Sequence, residues 1–169
     1  MNPPLSEPVF ATLLDKLSDR TATIGVIGLG YVGLPLACAC AGAGFEVVGF
    51  DIDEAKITAL EAGRSYIDAV ASEQLAGHLA AKRFQATADF ARLKSCDAVI
   101  ICVPTPLSKH REPDLSYVSH TAQDIAVHLR PGHLIVLEST TYPGTSEEVV
   151  RPILETSGLK PGVDFAVAY

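Results

Sequence analysis

Three glycines near the N-terminus constrain the fold of this chain more than any other sequence feature. They stand in Gly28-Leu29-Gly30-Tyr31-Val32-Gly33, which is a GxGxxG spacing. The apolar run at 22–28 predicts a buried strand, and the apolar segment 31–43 predicts a helix. The spacing alone is weak, but a strand, a glycine turn and a helix in this order make it strong. The segment therefore predicts the first strand–helix unit of a dinucleotide-binding sheet.

Each glycine has its own role in such a turn. Gly28 permits the tight bend, Gly30 lets the backbone approach a pyrophosphate, and Gly33 lets the helix pack closely on the sheet. The free amides at the start of the helix face the anion, and the helix dipole favours its charge. We therefore predict a set of pyrophosphate-binding residues: Gly28, Gly30, Tyr31, Val32 and Gly33.

The second predicted strand, 46–51, ends at Asp51. A carboxylate at this position accepts hydrogen bonds from the adenosine ribose of NAD. The 2′-phosphate of NADP would meet that carboxylate, and no arginine adjoins Asp51 to compensate. The predicted cofactor is therefore NAD, and the alternative is a glycine-rich turn that serves a different ligand.

Strands and helices alternate along the rest of the chain. The predicted strands are 22–28, 46–51, 84–86, 98–103, 133–137 and 164–168, and the last two helices are predicted over 115–129 and 145–156. Such alternation implies right-handed crossovers and a parallel sheet with helices on both faces. The predicted fold class is α/β, a doubly wound parallel six-stranded sheet of order 3-2-1-4-5-6 (the Rossmann fold) with a short N-terminal helix. We expect residues 1–20 to form this helical segment and 21–169 to form the dinucleotide-binding domain.

Composition limits the partners of the chain. The net charge of -7 gives no general attraction to nucleic acid or anionic lipid. Residues 21–45 are uncharged and long enough to cross a bilayer, but their glycines and Pro35 favour two shorter elements.

The 4 cysteines form no CxxC pair, and no signal peptide precedes them. We therefore expect a cytoplasmic protein with no nucleic-acid or membrane partner. The histidines show no metal-ligand spacing, so no metal is expected.

Five motifs in one order resemble the UDP-glucose/GDP-mannose dehydrogenase family. They are GVIGLGYVGLPLA (25–37), GFDIDEAKI (49–57), ICVPTPL (101–107), REPDLSYV (111–118) and ESTTYPGTSEEVV (138–150). Glu138 stands where UDP-glucose enzymes often carry lysine. With the segment 142–145, it makes the chain most similar to the branch that oxidises UDP-N-acetylhexosamines, notably UDP-N-acetylglucosamine.

The resemblance implies a double oxidation, in which the C6 alcohol of a UDP-sugar becomes a carboxylate while two NAD are reduced. It implies that the cysteine nucleophile, its lysine partner and most of the sugar pocket lie in middle and C-terminal domains absent from this chain. We therefore expect the chain alone to bind NAD without turnover and to be monomeric, and the full-length protein to be a homodimer or larger. UDP-glucose and UDP-N-acetylmannosamine remain alternative substrates.

The resemblance also implies further cofactor-binding residues. Lys56 corresponds to a basic residue near the adenosine ribose and phosphates, with a solvated helix charge as the equal alternative. Thr140 corresponds to a threonine beside the nicotinamide that assists catalysis. The remaining cofactor-binding residues that we predict follow the fourth and fifth strands: Val103, Pro104, Thr105 and Ser139. The alternative for the threonines is a role in turns.

Two other functions stay open at this point. A 3-hydroxyacid dehydrogenase also begins with GLGxxG, but the segments 103–106 and 138–145 argue against it. The second is a non-catalytic NAD-binding module, which these residues alone do not distinguish from a dehydrogenase. Cys102 is predicted to be a buried thiol rather than a nucleophile, because no histidine flanks it. The basic cluster 109–111 could contact phosphates or be a solvated loop tip.

Overall fold

A single parallel sheet organises the chain. The computed structural model describes residues 7–106 and 113–169, and the cluster at 109–111 lies outside them. The strands are β1 (Thr23–Ile27), β2 (Glu46–Phe50), β3 (Phe84–Thr87), β4 (Ala98–Ile101), β5 (Leu134–Leu137) and β6 (Ala166–Ala168). All their pairings are parallel, in the order β3-β2-β1-β4-β5-β6. The predicted doubly wound sheet is confirmed.

Helices cover both faces of the sheet. They are α1 (Glu7–Ser18), α2 (Gly33–Gly42), α3 (Glu54–Glu61), α4 (Ser72–Ala80), α5 (Ser116–His128) and α6 (Arg151–Glu155), with a 3₁₀ helix at Phe90–Ser95. One buried cluster contains Leu34, Leu60 and Leu75, and the other contains Ile125 and Leu154. Each fully buried leucine or isoleucine contributes roughly 1.5–3 kcal/mol. The strands between these clusters are apolar on both faces, as a covered parallel sheet requires.

The N-terminal helix is tied to the amino edge of the sheet. Asp97 accepts hydrogen bonds from Lys16 Nζ at 2.8 Å, from the Thr23 amide at 3.0 Å and from Arg130 Nη2 at 3.1 Å. Burial alone would raise the pKa of Asp97, but these three donors outweigh it and lower the pKa below its ordinary 3.8. The short N-terminal helix is therefore part of the packed fold, with Leu13 buried beneath it.

The uncharged stretch 21–45 forms two elements, as predicted: strand β1 and helix α2 meet at the glycine turn. Among the described helices, none is both long and apolar enough to cross a membrane.

The last helix differs from the prediction. The sequence predicts one helix over 145–156, whereas the structure has a π-helical turn, Ser146–Val150, followed by the short α6. Pro152 sits in the first turn of α6. Proline lacks an amide hydrogen and its ring clashes with the carbonyl four residues earlier, so a regular helix cannot run through this position. The widened turn ahead of Pro152 is consistent with that restriction.

Candidate functional site

A cleft of about 690 Å³ opens at the carboxyl ends of β1, β2, β4 and β5. This is the edge where the strand order reverses, and doubly wound sheets bind ligands there. All of the predicted site residues except Gly33 line the cleft: Gly28, Gly30, Tyr31, Val32, Asp51, Lys56, Val103, Pro104, Thr105, Ser139 and Thr140. The fold therefore brings residues from four separate segments to one site.

Two of the three glycines are required by close backbone packing. Gly28 has φ +90°, and a Cβ there would lie 2.7 Å from the carbonyl oxygen of Cys102. A Cβ on Gly33 would lie 1.7 Å from the carbonyl oxygen of Gly28. These distances are far below van der Waals contact, so both positions exclude any larger side chain. Gly33 thus acts from behind the turn, where it lets α2 pack against β1.

Gly30 has a different environment. Apart from Gly30 and its two chain neighbours, no atom of the described chain lies within 4 Å of a Cβ built on it, and Gly30 lines the cleft. Protein packing therefore does not demand glycine here, whereas a ligand approaching the backbone would. The first amide of α2 with an intrahelical acceptor is Leu34, which donates to Gly30 at 3.1 Å. The preceding amides, Tyr31 to Gly33, have no backbone acceptor within 7–106 and 113–169. They are available to an anion.

The carboxylate of Asp51 is buried at the head of the cleft. Its Oδ2 accepts from the Leu29 amide at 2.9 Å and from Lys56 Nζ at 3.2 Å, and its Oδ1 accepts from the Asp53 amide at 3.0 Å. A carboxylate can accept about four hydrogen bonds. Three protein donors leave room for one more, such as a ribose hydroxyl.

Lys56 is neither a free surface charge nor a free anion ligand. It forms an ion pair with Asp51, and its side chain is 35% exposed at the cleft. The sequence predicts either a ligand contact or a solvated charge for Lys56. The structure shows instead an ion pair with Asp51. The ion pair uses one of the three ammonium donors, so Lys56 can still donate to a ligand in the cleft.

Hydroxyl groups join the ends of β4 and β5 below the cleft. Thr105 Oγ1 donates to the Thr140 carbonyl at 2.5 Å, and Ser139 Oγ donates to the Val103 carbonyl at 2.8 Å. Ser139 is 5% exposed. Both hydroxyl protons are therefore used within the protein, and these side chains shape the cleft while their oxygens can still accept.

Thr140 and Glu138 differ from their neighbours because their side chains are exposed in the cleft. Within the described segments, the Thr140 hydroxyl has no hydrogen-bond partner. Cys102 lies nearby, and burial, with the Glu138 carboxylate as a second cause, raises the pKa of its thiol to about 12. The thiol is therefore protonated at neutral pH, which agrees with the inert role predicted for it.

Sequence reasoning missed several residues of the site. Ile52 is 78% exposed beside Asp51, and Phe90 lines the same wall of the cleft. Helix α5 adds a polar face: Tyr117, His120, Thr121 and Asp124. Helical periodicity predicted α5, but it could not show that the polar face borders a cleft. Tyr66, which donates to the Leu29 carbonyl at 2.7 Å, gave no sequence signal either.

The sheet order, the glycine turn and the buried acid together define a dinucleotide-binding domain. Comparison with known proteins agrees. Residues 22–169 match the family model described as "UDP-glucose/GDP-mannose dehydrogenase family, NAD binding domain". The chain belongs to this family, and its cofactor is NAD. That membership decides against the 3-hydroxyacid dehydrogenase alternative.

Relatives within the family carry different substrate names. The chain is 39% identical over 147 residues to UDP-N-acetyl-D-mannosamine dehydrogenase of Pyrococcus horikoshii, covering 86% of this chain and 35% of that protein. It is 39% identical to UDP-N-acetyl-D-glucosamine 6-dehydrogenase of Pseudomonas aeruginosa, covering 86% and 34%. A crystal structure of a ternary complex of GDP-mannose dehydrogenase from Pseudomonas aeruginosa superposes with a TM-score of 0.81 at 36% identity, covering 85% and 34%. The chain thus spans about a third of the length of these relatives.

Proposed function

We propose that this chain is the NAD-binding part of a nucleotide-sugar 6-dehydrogenase, and that NAD lies in the cleft with its pyrophosphate over the turn 28–33. The observation that carries the proposal is the contrast among the glycines. Gly28 and Gly33 are forced by protein packing, whereas a methyl group at Gly30 would meet nothing but the cleft. A glycine that the described part of the fold does not need, beside the Tyr31 and Val32 amides, which have no backbone acceptor among the described residues, fits an anionic ligand in contact with the backbone.

The adenosine end of NAD is proposed to lie at β2. The remaining acceptor position of Asp51 would take a ribose hydroxyl, while Lys56 holds the carboxylate in place. Ile52 would cover one face of the adenine, which gives its 78% exposed side chain an apolar partner.

The nicotinamide end is proposed to lie at the ends of β4 and β5, because the second half of a doubly wound sheet holds the second mononucleotide. When bound, NAD supplies the electron acceptor for oxidation of an alcohol. Val103, Pro104 and Thr105 would form the wall against the ring, and Ser139 would fix that wall through Val103. Thr140, whose hydroxyl has no partner among residues 7–106 and 113–169, would offer that hydroxyl to the reacting oxygen or to water.

The reaction of the complete protein is proposed to be oxidation of the C6 alcohol of a UDP-sugar to a carboxylate with two NAD, in the cytoplasm and in service of polysaccharide biosynthesis. This chain spans about a third of the length of its relatives. The nucleophile and the sugar pocket are therefore proposed to lie in further domains. Dimerisation is proposed to depend on those domains as well.

UDP-N-acetylglucosamine is the substrate that we propose, because Glu138 and residues 142–145 carry the branch resemblance. UDP-N-acetylmannosamine is the second candidate, supported by the 39% identity to the Pyrococcus horikoshii enzyme. The test is an assay of the complete protein with NAD and four substrates: the two N-acetylhexosamine nucleotides, UDP-glucose and GDP-mannose. We expect the highest kcat/KM for UDP-N-acetylglucosamine. Preference for UDP-glucose would contradict the branch assignment, and turnover of none would point to a non-catalytic NAD-binding module.

A further inference from the structure

The peptide groups on both sides of Leu29 are held by side chains from other parts of the chain. The Leu29 amide donates to Asp51 Oδ2 at 2.9 Å, and the Leu29 carbonyl accepts from the Tyr66 hydroxyl at 2.7 Å. The Leu29 side chain is fully buried over β2, where a Cβ on Gly49 would lie 2.8 Å from its Cδ2. Packing thus fixes the position of Leu29, and the two hydrogen bonds fix the orientation of its peptides.

Tyr66 is itself held firmly. It lies in the connection between α3 and α4, where the Ser65 amide donates to Ser72 Oγ at 3.0 Å and Ser65 Oγ donates to the Ile67 carbonyl at 3.1 Å. Ile67, the next residue, is 5% exposed and belongs to the core. The ring, which is 36% exposed, therefore approaches the glycine turn from a connection that is anchored on both sides of Tyr66.

The phenol of Tyr66 is a donor at all ordinary pH values. Burial raises its pKa well above 10, and the carboxylates of Asp51 and Asp53 raise it further. A neutral phenol can donate its proton to the Leu29 carbonyl. That carbonyl belongs to the peptide that ends in the Gly30 amide, at the point where the turn faces the cleft.

We propose that Tyr66 is a positioning residue that orients the glycine turn for the pyrophosphate of NAD. The inference rests on the proposed function of the cleft. Asp51 restrains the Leu29 amide, but among the described residues no atom outside 29–31 lies within 4 Å of the Cβ position of Gly30, so the Leu29–Gly30 peptide needs a restraint of its own. The Tyr66 hydroxyl supplies that restraint from behind. A turn held in its binding geometry before the ligand arrives loses less conformational entropy on binding.

Tyr66→Phe tests the role because it removes the hydroxyl and keeps the ring. One net hydrogen bond corresponds to a change in affinity of about five- to tenfold. We expect NAD and ADP-ribose to bind the variant about five- to tenfold more weakly in calorimetric titrations. Adenosine, which has no phosphate, should bind both proteins within about twofold of each other. The control is Tyr169→Phe, which removes a phenol from a side chain that is 75% exposed outside the cleft and should change nothing.

A second measurement needs no ligand. The Leu29 amide is bonded to Asp51 and the Leu34 amide to Gly30, so both should be protected from hydrogen exchange. In Tyr66→Phe we expect both amides to exchange several-fold faster in NMR experiments, while amides of β5 keep their rates.

The outcomes separate the inference from the proposed function. If the wild type binds NAD and the variant binds it equally well, or if adenosine weakens as much as NAD, the positioning role is wrong. If the wild type binds no NAD, the proposed function fails, and the exchange rates decide the inference: faster exchange supports the restraint on the turn, and unchanged exchange overturns it.

Discussion

An added methyl group should change the free energy of unfolding at residue 33 but not at residue 30. Gly33→Ala places Cβ 1.7 Å from the Gly28 carbonyl, so α2 must move away from β1. We expect a loss of about 3 kcal/mol or more in the free energy of unfolding, measured by urea denaturation. Gly30→Ala meets no protein atom, so we expect its unfolding free energy to stay within about 0.5 kcal/mol of the wild type.

The same two variants separate folding from binding. Because a methyl group at residue 30 would occupy the space proposed for the pyrophosphate, we expect Gly30→Ala to bind NAD at least about tenfold more weakly by calorimetry. Gly77→Ala is the matched control, since a Cβ there also meets no protein atom and Gly77 lies in α4. Wild-type NAD affinity in Gly30→Ala would show that the pyrophosphate does not approach this residue.

Asp51 combines two tasks in one carboxylate, holding the turn through Leu29 and offering an acceptor to the ligand. We expect Asp51→Asn to weaken NAD binding by about tenfold or more, because hydrogen bonds to a charged group are worth about 1.5–3 kcal/mol. The preference for NAD over NADP should shrink, since the repulsion of the 2′-phosphate is removed. The measurement is paired titration of the two cofactors.

Asp68→Asn is the control for that experiment. It makes the same change of charge at an exposed residue outside the cleft, so its affinities should match the wild type. An Asp51→Asn protein with unchanged NAD affinity would contradict the assignment of the ribose.

Motif spacing was informative at the residue scale for positions in the glycine turn and at the end of the next strand. The glycines and Asp51 could be predicted because the strand–turn–helix geometry dictates their places. Tyr66 could not, because its contact with Leu29 spans 37 residues and depends on how the connection after α3 folds back. The hydroxyl of Ser139 likewise bonds to the backbone below the cleft, which no local pattern in the sequence shows.

At the scale of elements, a buried histidine at the amino-terminal edge of the sheet should make the free energy of unfolding depend on pH. His133 precedes β5 and is 1% exposed. Burial and the Arg130 guanidinium lower its pKa to about 4, against 6.5 ordinarily, although the Cys96 carbonyl and Asp97 act in the opposite direction. The unfolded chain therefore takes up a proton between these values and the folded chain does not. The contribution of the neutral His133 to the free energy of unfolding is fully present above pH 6.5. It falls by about 3 kcal/mol as the pH drops towards 4.

The measurement is urea denaturation at a series of pH values. Asp97 adds a separate loss below its ordinary pKa of 3.8, because its folded pKa is lowered. His133→Gln should flatten the dependence between pH 6.5 and 4 while leaving the loss below pH 4 that comes from Asp97. An equally steep dependence in the variant would show that another group binds the protons.

Element types followed from the sequence, but some boundaries did not. The alternation of strands and helices predicted all six strands, and the central strands β1 and β4 gave the clearest signal because they are apolar on both faces. The helix predicted over 145–156 is present as a continuous helical segment over 146–155, but the part ahead of Pro152 is π-helical rather than α-helical. Apolar periodicity indicates which side chains are buried. It does not indicate whether the backbone hydrogen bonds of a helix follow the α-helical or the π-helical pattern.

At the scale of the whole molecule, an acidic protein must bind an anionic cofactor. The net charge of -7 opposes NAD at long range, so binding relies on local backbone dipoles in the turn. The sheet order could be predicted because right-handed crossovers leave few arrangements for alternating strands and helices. The polar face of α5 at the cleft, by contrast, depends on tertiary packing.

We also expect this chain to be monomeric or weakly associated, since dimerisation is proposed to depend on further domains. Light scattering at micromolar concentration should give a mass close to 17.8 kDa. A tight dimer would show that this domain carries an interface of its own.

The most direct test of the account is calorimetric titration of NAD and of NADP into this chain. If the turn at 28–33 binds pyrophosphate and Asp51 binds the ribose, NAD should bind with one site per chain and NADP at least about tenfold more weakly. Equal affinity for both cofactors would contradict the role of Asp51. Absence of binding by either would contradict the claim that this cleft holds NAD without the rest of the protein.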